Sequence, residues 1–308
     1  MCRIQWKTAR LKHFWKEMVE MKNKIGLHTF MAVPAFALYA VFFIYPLVRG
    51  IGMSLTDWDG IGTAKFVGLK NFMDFFQDPR ALSDIRTTVL FAIGSTLLLN
   101  MVGLAYACLM NKPFRGRSLA IVCVYMPAII SPLIMGYIWY LILQPGRGFL
   151  FHLVDNMGHP EWFGNWMGTY GTTLIVLILV NVWQYAGMTM VVYLAGLQGI
   201  SKELYDAAEI DGAGGRQCFR YITMPLLKPS IRINIVTNII GSLSVFDIVM
   251  SLTGGGPGYQ TETLSIYIMR MCYGSKTGYS TAVAMIMFII VLIPVAVSLK
   301  LMKKGDAE

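Results

Sequence analysis

The chain has 308 residues, of which 56% are hydrophobic and only 14% charged, with a formal net charge of +9. The charges cluster between long apolar runs, which excludes an ordinary soluble globule and points to an all-α polytopic membrane protein. Cys2, Cys108, Cys123, Cys218 and Cys272 are scattered without a CxxC pair, and His13, His28, His152 and His159 do not cluster with carboxylates, so neither a disulfide framework nor a zinc site is indicated.

Residues 1–28 form a basic segment carrying Arg3, Lys7, Arg10, Lys12, Lys16, Lys22 and Lys24. Trp6, Leu11, Phe14, Trp15, Met18 and Met21 recur among them at helical spacing. This suits a helix lying on anionic lipid, and it equally suits a plain topological anchor. The basic run is long and no small-residue cleavage site follows the first apolar stretch, unlike a secretory signal.

A transmembrane body is expected over 29–300, with a short tail at 301–308. A membrane-crossing helix needs roughly 20 apolar residues. Six stretches meet that length: Thr29–Val48, Thr87–Met110, Ser118–Leu143, Thr172–Gly196, Ile231–Leu252 and Tyr279–Leu299. Pro127 and Pro132 predict a kink in the third. Aromatics such as Phe42, Phe43 and Tyr45, or Tyr137, Trp139 and Tyr140, suit interfacial belts. The glycine run Gly254-Gly255-Gly256-Pro257-Gly258 lacks the Lys-Ser/Thr of a phosphate loop and reads as a helix break.

The polar insert Ser201–Ser230 interrupts this pattern. Ser201 is placed to cap a helix starting at Lys202, with Glu203 and Asp206 in its first turns, where the helix dipole favours acids. Leu204 stands where a capping box wants Glu or Gln. Ala207 and Ala208 remove bulk, so another surface can approach closely. Gly212, Gly214 and Gly215 permit a sharp turn. A second short helix is expected over 216–223, ended by Pro225 and Pro229. With six crossings, the basic tail, the Lys112/Arg115/Arg117 turn, the insert and the C-terminus fall on one side. The positive-inside rule places that side in the cytoplasm.

No HExxH, GxSxG or Walker motif is present. Asp247 is the one acid well inside an expected span, among Asn234, Asn238, Ser242 and Ser244. It reads either as lining of a translocation path or as a structural hydrogen-bonding group between helices. Asn181, Trp183, Gln184 and Tyr185 form a similar set in the fourth span. Amides beside aromatic faces suit neutral sugars, which need hydrogen bonds for hydroxyls and flat apolar surface for C–H faces.

The string Asp206-Ala207-Ala208, then Asp211-Gly212-Ala213, Phe219, Ile222 and Pro225, resembles the "EAA" loop of bacterial ATP-binding-cassette importer permeases. Tyr45-Pro46 with Ser54-Leu55-Thr56-Asp57, Val67-Gly68-Leu69-Lys70-Asn71-Phe72, Phe246-Asp247 with Thr253-Gly254-Gly255-Gly256-Pro257, and Thr261-Glu262-Thr263-Leu264 extend the resemblance to the carbohydrate-uptake branch. One departure is Asp206, where the family usually has Glu; the charge is kept on a shorter side chain. The resemblance implies six transmembrane helices, a cytoplasmic two-helix coupling loop and a bacterial cell-membrane location with both termini inside. It implies an ATPase-coupling role for Glu203, Asp206, Ala207, Ala208, Asp211, Gly212, Ala213, Phe219 and Pro225. The substrate-path candidates are Asn181, Trp183, Tyr185, Asn238, Ser242 and Asp247. The implied partners are a second homologous permease, an ATPase dimer, an extracytoplasmic solute-binding protein and membrane lipid, with no nucleic acid. ATP and Mg would sit on the ATPase, leaving no cofactor on this chain. A permease for another polar solute such as a glycerol phosphate is the alternative. An integral membrane enzyme, or a channel without ATP coupling, would be a different class.

Overall fold

The computed structural model describes residues 32–144, 146–158 and 167–304. The basic tail, Trp162, Trp166 and residues 305–308 lie outside them. The described chain is helical, with one isolated antiparallel bridge between Thr56 and Phe66. It divides into two compact units, Met1–Met53 and Ser54–Glu308.

Helix α1 (Ala32–Ser54) is 23 residues long, and none of its most apolar window is buried. It widens into a π-turn at Ala40–Ile44, immediately before Pro46. A proline lacks the N–H for its helical bond and crowds the carbonyl four residues back, and a π-turn relieves both problems.

In the second unit, α2 (Lys70–Gln77) leads to α3 (Pro79–Asn111), and α7 (Tyr170–Gln198) packs along it. Asp78 caps α3 by accepting from the Arg80 N–H at 2.8 Å, and Pro79 fills the first helical position, where no N–H is needed. With 33 residues, α3 spans roughly 50 Å at ~1.5 Å per residue, more than the ~30 Å of bilayer hydrocarbon. Burial against lipid gains little, so helix contact in a bilayer depends on close packing. Gly103 and Gly187 supply it: a Cβ on Gly103 would lie 2.8 Å from Thr189 Cβ, and one on Gly187 would lie 2.7 Å from Tyr125 Cα.

Helix α4 (Arg117–Tyr125) runs on as a 3₁₀ turn to Ile129, and α5 (Pro132–Leu143) leaves at a bend of 96°. The expected proline kink is thus a sharp break. Gln184 Nε2 donates to the freed carbonyl of Ile130 at 3.1 Å, as non-helical backbone at membrane depth requires. A short helix α6 (Phe149–Asn156) follows.

After the insert come α10 (Lys228–Leu243), α11 (Asp247–Leu252), α12 (Leu264–Tyr273) and α13 (Thr277–Lys304). The fifth expected span, Ile231–Leu252, is therefore not one helix. It breaks at 244–246, and α10 alone has 16 residues, short of the roughly 20 a straight span needs. Asp247 accordingly opens a short helix rather than sitting inside a long one. Among the described residues four helices are long and apolar enough to cross a membrane, or five if the bent α4–α5 pair counts as one.

Candidate functional site

Two regions concentrate the candidate residues. The first is a cavity of about 350 Å³ between α7 and α10–α11. Helix α7 contributes Asn181, Tyr185, Met188, Thr189 and Val192; α10 contributes Asn234, Thr237, Asn238, Gly241 and Ser242. Both sets follow the three-and-four spacing of a single helix face. The broken segment adds Ser244, Val245, Phe246 and Asp247, so the break turns polar backbone and side chains toward a space rather than toward lipid. Asn238 Nδ2 donates to Thr189 Oγ1 at 3.3 Å, and Asn234 Nδ2 to the Thr189 carbonyl at 3.2 Å.

Of the path candidates, Asn181, Tyr185, Asn238, Ser242 and Asp247 all line this cavity. Trp183 does not: it stands 48% exposed and packs edge-on against Trp139, with ring centroids 5.5 Å apart. Gln184 is turned away as well, to the bend at Ile130. Thr189 and Thr237 join the lining without having been singled out, and Phe246 joins it having been noted only for the family resemblance; the face shared by Asn181, Tyr185 and Thr189 was the signal for the first of them.

The second region is the insert. Ser201 Oγ accepts from the Glu203 N–H at 3.3 Å and starts α8 (Lys202–Ile210). The helix ends in a Schellman pair: Ala213 N–H to Ala208 O at 2.8 Å and Gly212 N–H to Glu209 O at 3.0 Å. That closure needs the left-handed backbone of Gly212, with φ +80°. Helix α9 (Gly215–Cys218) follows, and Gln217 Oε1 accepts from the Gly214 N–H at 2.7 Å.

The chain does not stop at the prolines, as the sequence suggested. It passes through a π-turn at Phe219–Thr223 and a turn at Met224–Leu226 directly into α10. Pro225 and Pro229 each take an early position in the segment they open, where a missing N–H costs nothing, and the π-turn again precedes the proline. A hydroxyl contact of 2.9 Å between Tyr205 and Thr223 holds the two arms of the insert together. Glu203, Asp206, Ala207 and Asp211 are exposed, and Ile210 is 87% exposed. The insert packs beside the Asn111 end of α3 and the Leu197 end of α7, around a cavity of about 480 Å³.

This combination, a helical membrane body with a polar cavity between helices and a charged hairpin at one end, is the architecture of a membrane transport subunit. Residues 99–304 match the family of binding-protein-dependent transport system inner membrane components. The chain belongs to that family.

It is 33% identical over 288 residues to the probable starch degradation products transport system permease protein AmyD of Thermoanaerobacterium thermosulfurigenes, covering 93% of this chain and 97% of AmyD. It is 31% identical over 286 residues to the trehalose/maltose transport system permease protein MalF of Thermococcus litoralis, covering 92% and 93%. The sn-glycerol-3-phosphate transport system permease protein UgpA of Yersinia pestis is 30% identical over 265 residues, covering 85% and 89%. Among solved structures, a bacterial ABC transporter for import of the acidic polysaccharide alginate aligns with a TM-score of 0.78 at 23% identity, over 95% of this chain and 99% of that one; this likeness shows the fold. The protein is thus a multi-pass membrane transport subunit that works with a second permease, a solute-binding protein and an ATPase, and ATP hydrolysis belongs to the ATPase.

Proposed function

We propose that this chain is one half of the permease pair of a carbohydrate importer, and that the cavity between α7 and α10–α11 is its share of the sugar path. The observation that carries the reading is the lining itself: amides from Asn181, Asn234 and Asn238, hydroxyls from Tyr185, Thr189 and Ser242, and the Phe246 ring around one space. These groups exchange hydrogen bonds with sugar hydroxyls and offer flat surface to C–H faces. The named substrates of AmyD and MalF, starch degradation products and trehalose or maltose, fit that chemistry. A glycerol phosphate, suggested by UgpA, fits less well, because among the described residues the lining holds Asp247 and no Lys or Arg.

In this reading residues 29–300 form six crossings, α10 and α11 together make the fifth, and both termini are cytoplasmic. The chain itself takes no cofactor. The insert 201–230 docks on the ATPase through Glu203, Asp206, Ala207, Ala208, Asp211, Gly212, Ala213, Phe219 and Pro225. When the ATPases close on ATP, the docked helices move together and the cavity turns outward, as alternating access requires.

Asp247→Ala in the assembled transporter tests the path. Sugar uptake should fall while the ATPase stays bound; unchanged uptake kinetics would remove Asp247 from it. Single cysteines at Ile61 and Gly215 test the topology. They should react with an impermeant reagent from opposite faces, and labelling from one face would refute the crossing number.

A further inference from the structure

Away from the cavity and the insert, loop 253–263 is tied to the start of α3 by buried charge. Glu262 is fully buried. Arg80 donates to it from Nε at 2.7 Å and from Nη2 at 3.1 Å, and Arg270 Nη1 stands 2.9 Å away. Arg270 Nη2 also donates to the Gly254 carbonyl at 2.7 Å. The Tyr259 ring lies against both guanidiniums, 4.0 Å from Arg80 Cζ and 4.8 Å from Arg270 Cζ.

Asp84, one turn beyond Arg80 on α3, is fully buried too, yet among the described residues neither of its carboxylate oxygens meets a donor. Glu262 lies across from it, because Arg80 and Thr88, one turn to either side of Asp84 on the same face of α3, meet Glu262 and the Leu264 N–H; Arg80 and Asp78 are its other charged neighbours. Both nearby guanidiniums are already engaged by Glu262. An unpaired buried charge is strongly destabilising. Like-charged carboxyls in contact avoid that cost by holding one proton between them.

We propose that Asp84 holds a proton against the Glu262 carboxylate, and that this proton latches loop 253–263 onto α3. With the proton in place, the Asp84 hydroxyl donates to Glu262. When base removes it, the O–H bond breaks, the proton leaves to solvent and two buried carboxylates repel. Uncharged ties remain at every pH: Thr87 Oγ1 to Gln260 O at 3.0 Å and Leu264 N–H to Thr88 Oγ1 at 2.9 Å. Ionisation therefore loosens the loop without detaching it. The latch sits at the Asp78 end of α3, remote from the insert, and works alike in either orientation in the membrane.

The test uses the whole purified transporter in lipid nanodiscs, where both faces are accessible, with the permease's native cysteines replaced by serine. Thr261→Cys, at a fully buried position in the loop, reports loop opening, and Ile61→Cys, at an 86% exposed position, corrects for thiol ionisation. The ratio of maleimide labelling at the two sites is followed from about pH 6 to about pH 10. With Asp84 present the ratio should rise at least about threefold toward alkaline pH as the loop opens locally. Asp84→Asn, whose amide donates to Glu262 at every pH, should hold it flat. A flat ratio with Asp84 in place overturns the proposal, whether or not the variant assembles. So does an Asp84→Asn profile that rises like the parent's.

Discussion

The side-chain amide of Asn238 donates to the hydroxyl of Thr189 at 3.3 Å, joining α10 to α7 at the wall of the polar cavity. Thr189 also receives Asn234 at its carbonyl, so one residue anchors two amides that face the same space. A transport path needs such groups held in place yet incompletely satisfied, with capacity left for substrate hydroxyls.

Thr189→Val keeps the shape and removes the hydroxyl. A net hydrogen bond is worth about 0.5–1.5 kcal/mol, so KM for the transported sugar should rise roughly twofold to tenfold. Uptake assays at several sugar concentrations give this value. Basal ATP hydrolysis should be unchanged, because no part of the insert is touched.

Gly187 tests the packing of α7 against α4. A Cβ there would press on the backbone of Tyr125 at 2.7 Å, and backbone cannot swing away as a side chain can. Gly187→Val should cost about 1–3 kcal/mol by overpacking and lower the thermal unfolding midpoint of the purified complex. A substitution on Gly241, which has open space around it, should shift the midpoint far less.

Gly212 separates backbone strain from partner contact. Its φ of +80° disfavours side chains, while among the described residues nothing beyond its chain neighbours lies within 4 Å of an added Cβ. Gly212→Ala should therefore cost only about 1–2 kcal/mol in α8 stability, and Gly212→Asn less. If Gly212→Asn preserves the fold by circular dichroism but lowers uptake, the side chain is meeting the docked ATPase.

Asp78 gives a pH dependence. Burial pushes its carboxyl up, but the Tyr267 hydroxyl, donating at 2.5 Å, and the Arg80 and Ala81 N–H groups outweigh burial and hold it below the ordinary carboxylate range. Tyr267 is pushed up, first by burial and then by this bond, so it remains a donor at neutral pH. A lowered acid contributes stability above its unfolded pKa and loses it as pH falls through the folded value. The gap in unfolding temperature between the parent and Tyr267→Phe should be constant near neutrality. It should close below about pH 4, near and under the unfolded carboxylate value.

Helices α3, α7 and α13 were legible because each carries a long apolar stretch, and that signal depends on nothing else in the chain. The caps of α8 were legible for the same reason: Ser201 and Gly212 act through backbone within five residues. The break at 244–246 was not, since Ile231–Leu252 is long enough to span and only its neighbours reveal a space beside it. The bend of 96° exceeded a proline kink because Gln184, 54 residues away, satisfies the opened carbonyl. The pairing of Arg80 with Glu262 joins residues 182 apart in sequence, which no local pattern encodes.

The central claim is that the insert transmits ATPase closure to this helical body. The most direct measurement is sugar uptake alongside ATP hydrolysis in proteoliposomes holding the whole transporter, for the parent and for Ala207→Asp. Ala207 is exposed on α8 beside Asp206, and a second carboxylate there would face a close-packed partner without a counter-charge, at a cost of roughly 1–3 kcal/mol or more. The account predicts that uptake is lost, through release of the ATPase or through hydrolysis that no longer moves sugar, while the permease still inserts and folds. Uptake by Ala207→Asp at the parent's rate would contradict it.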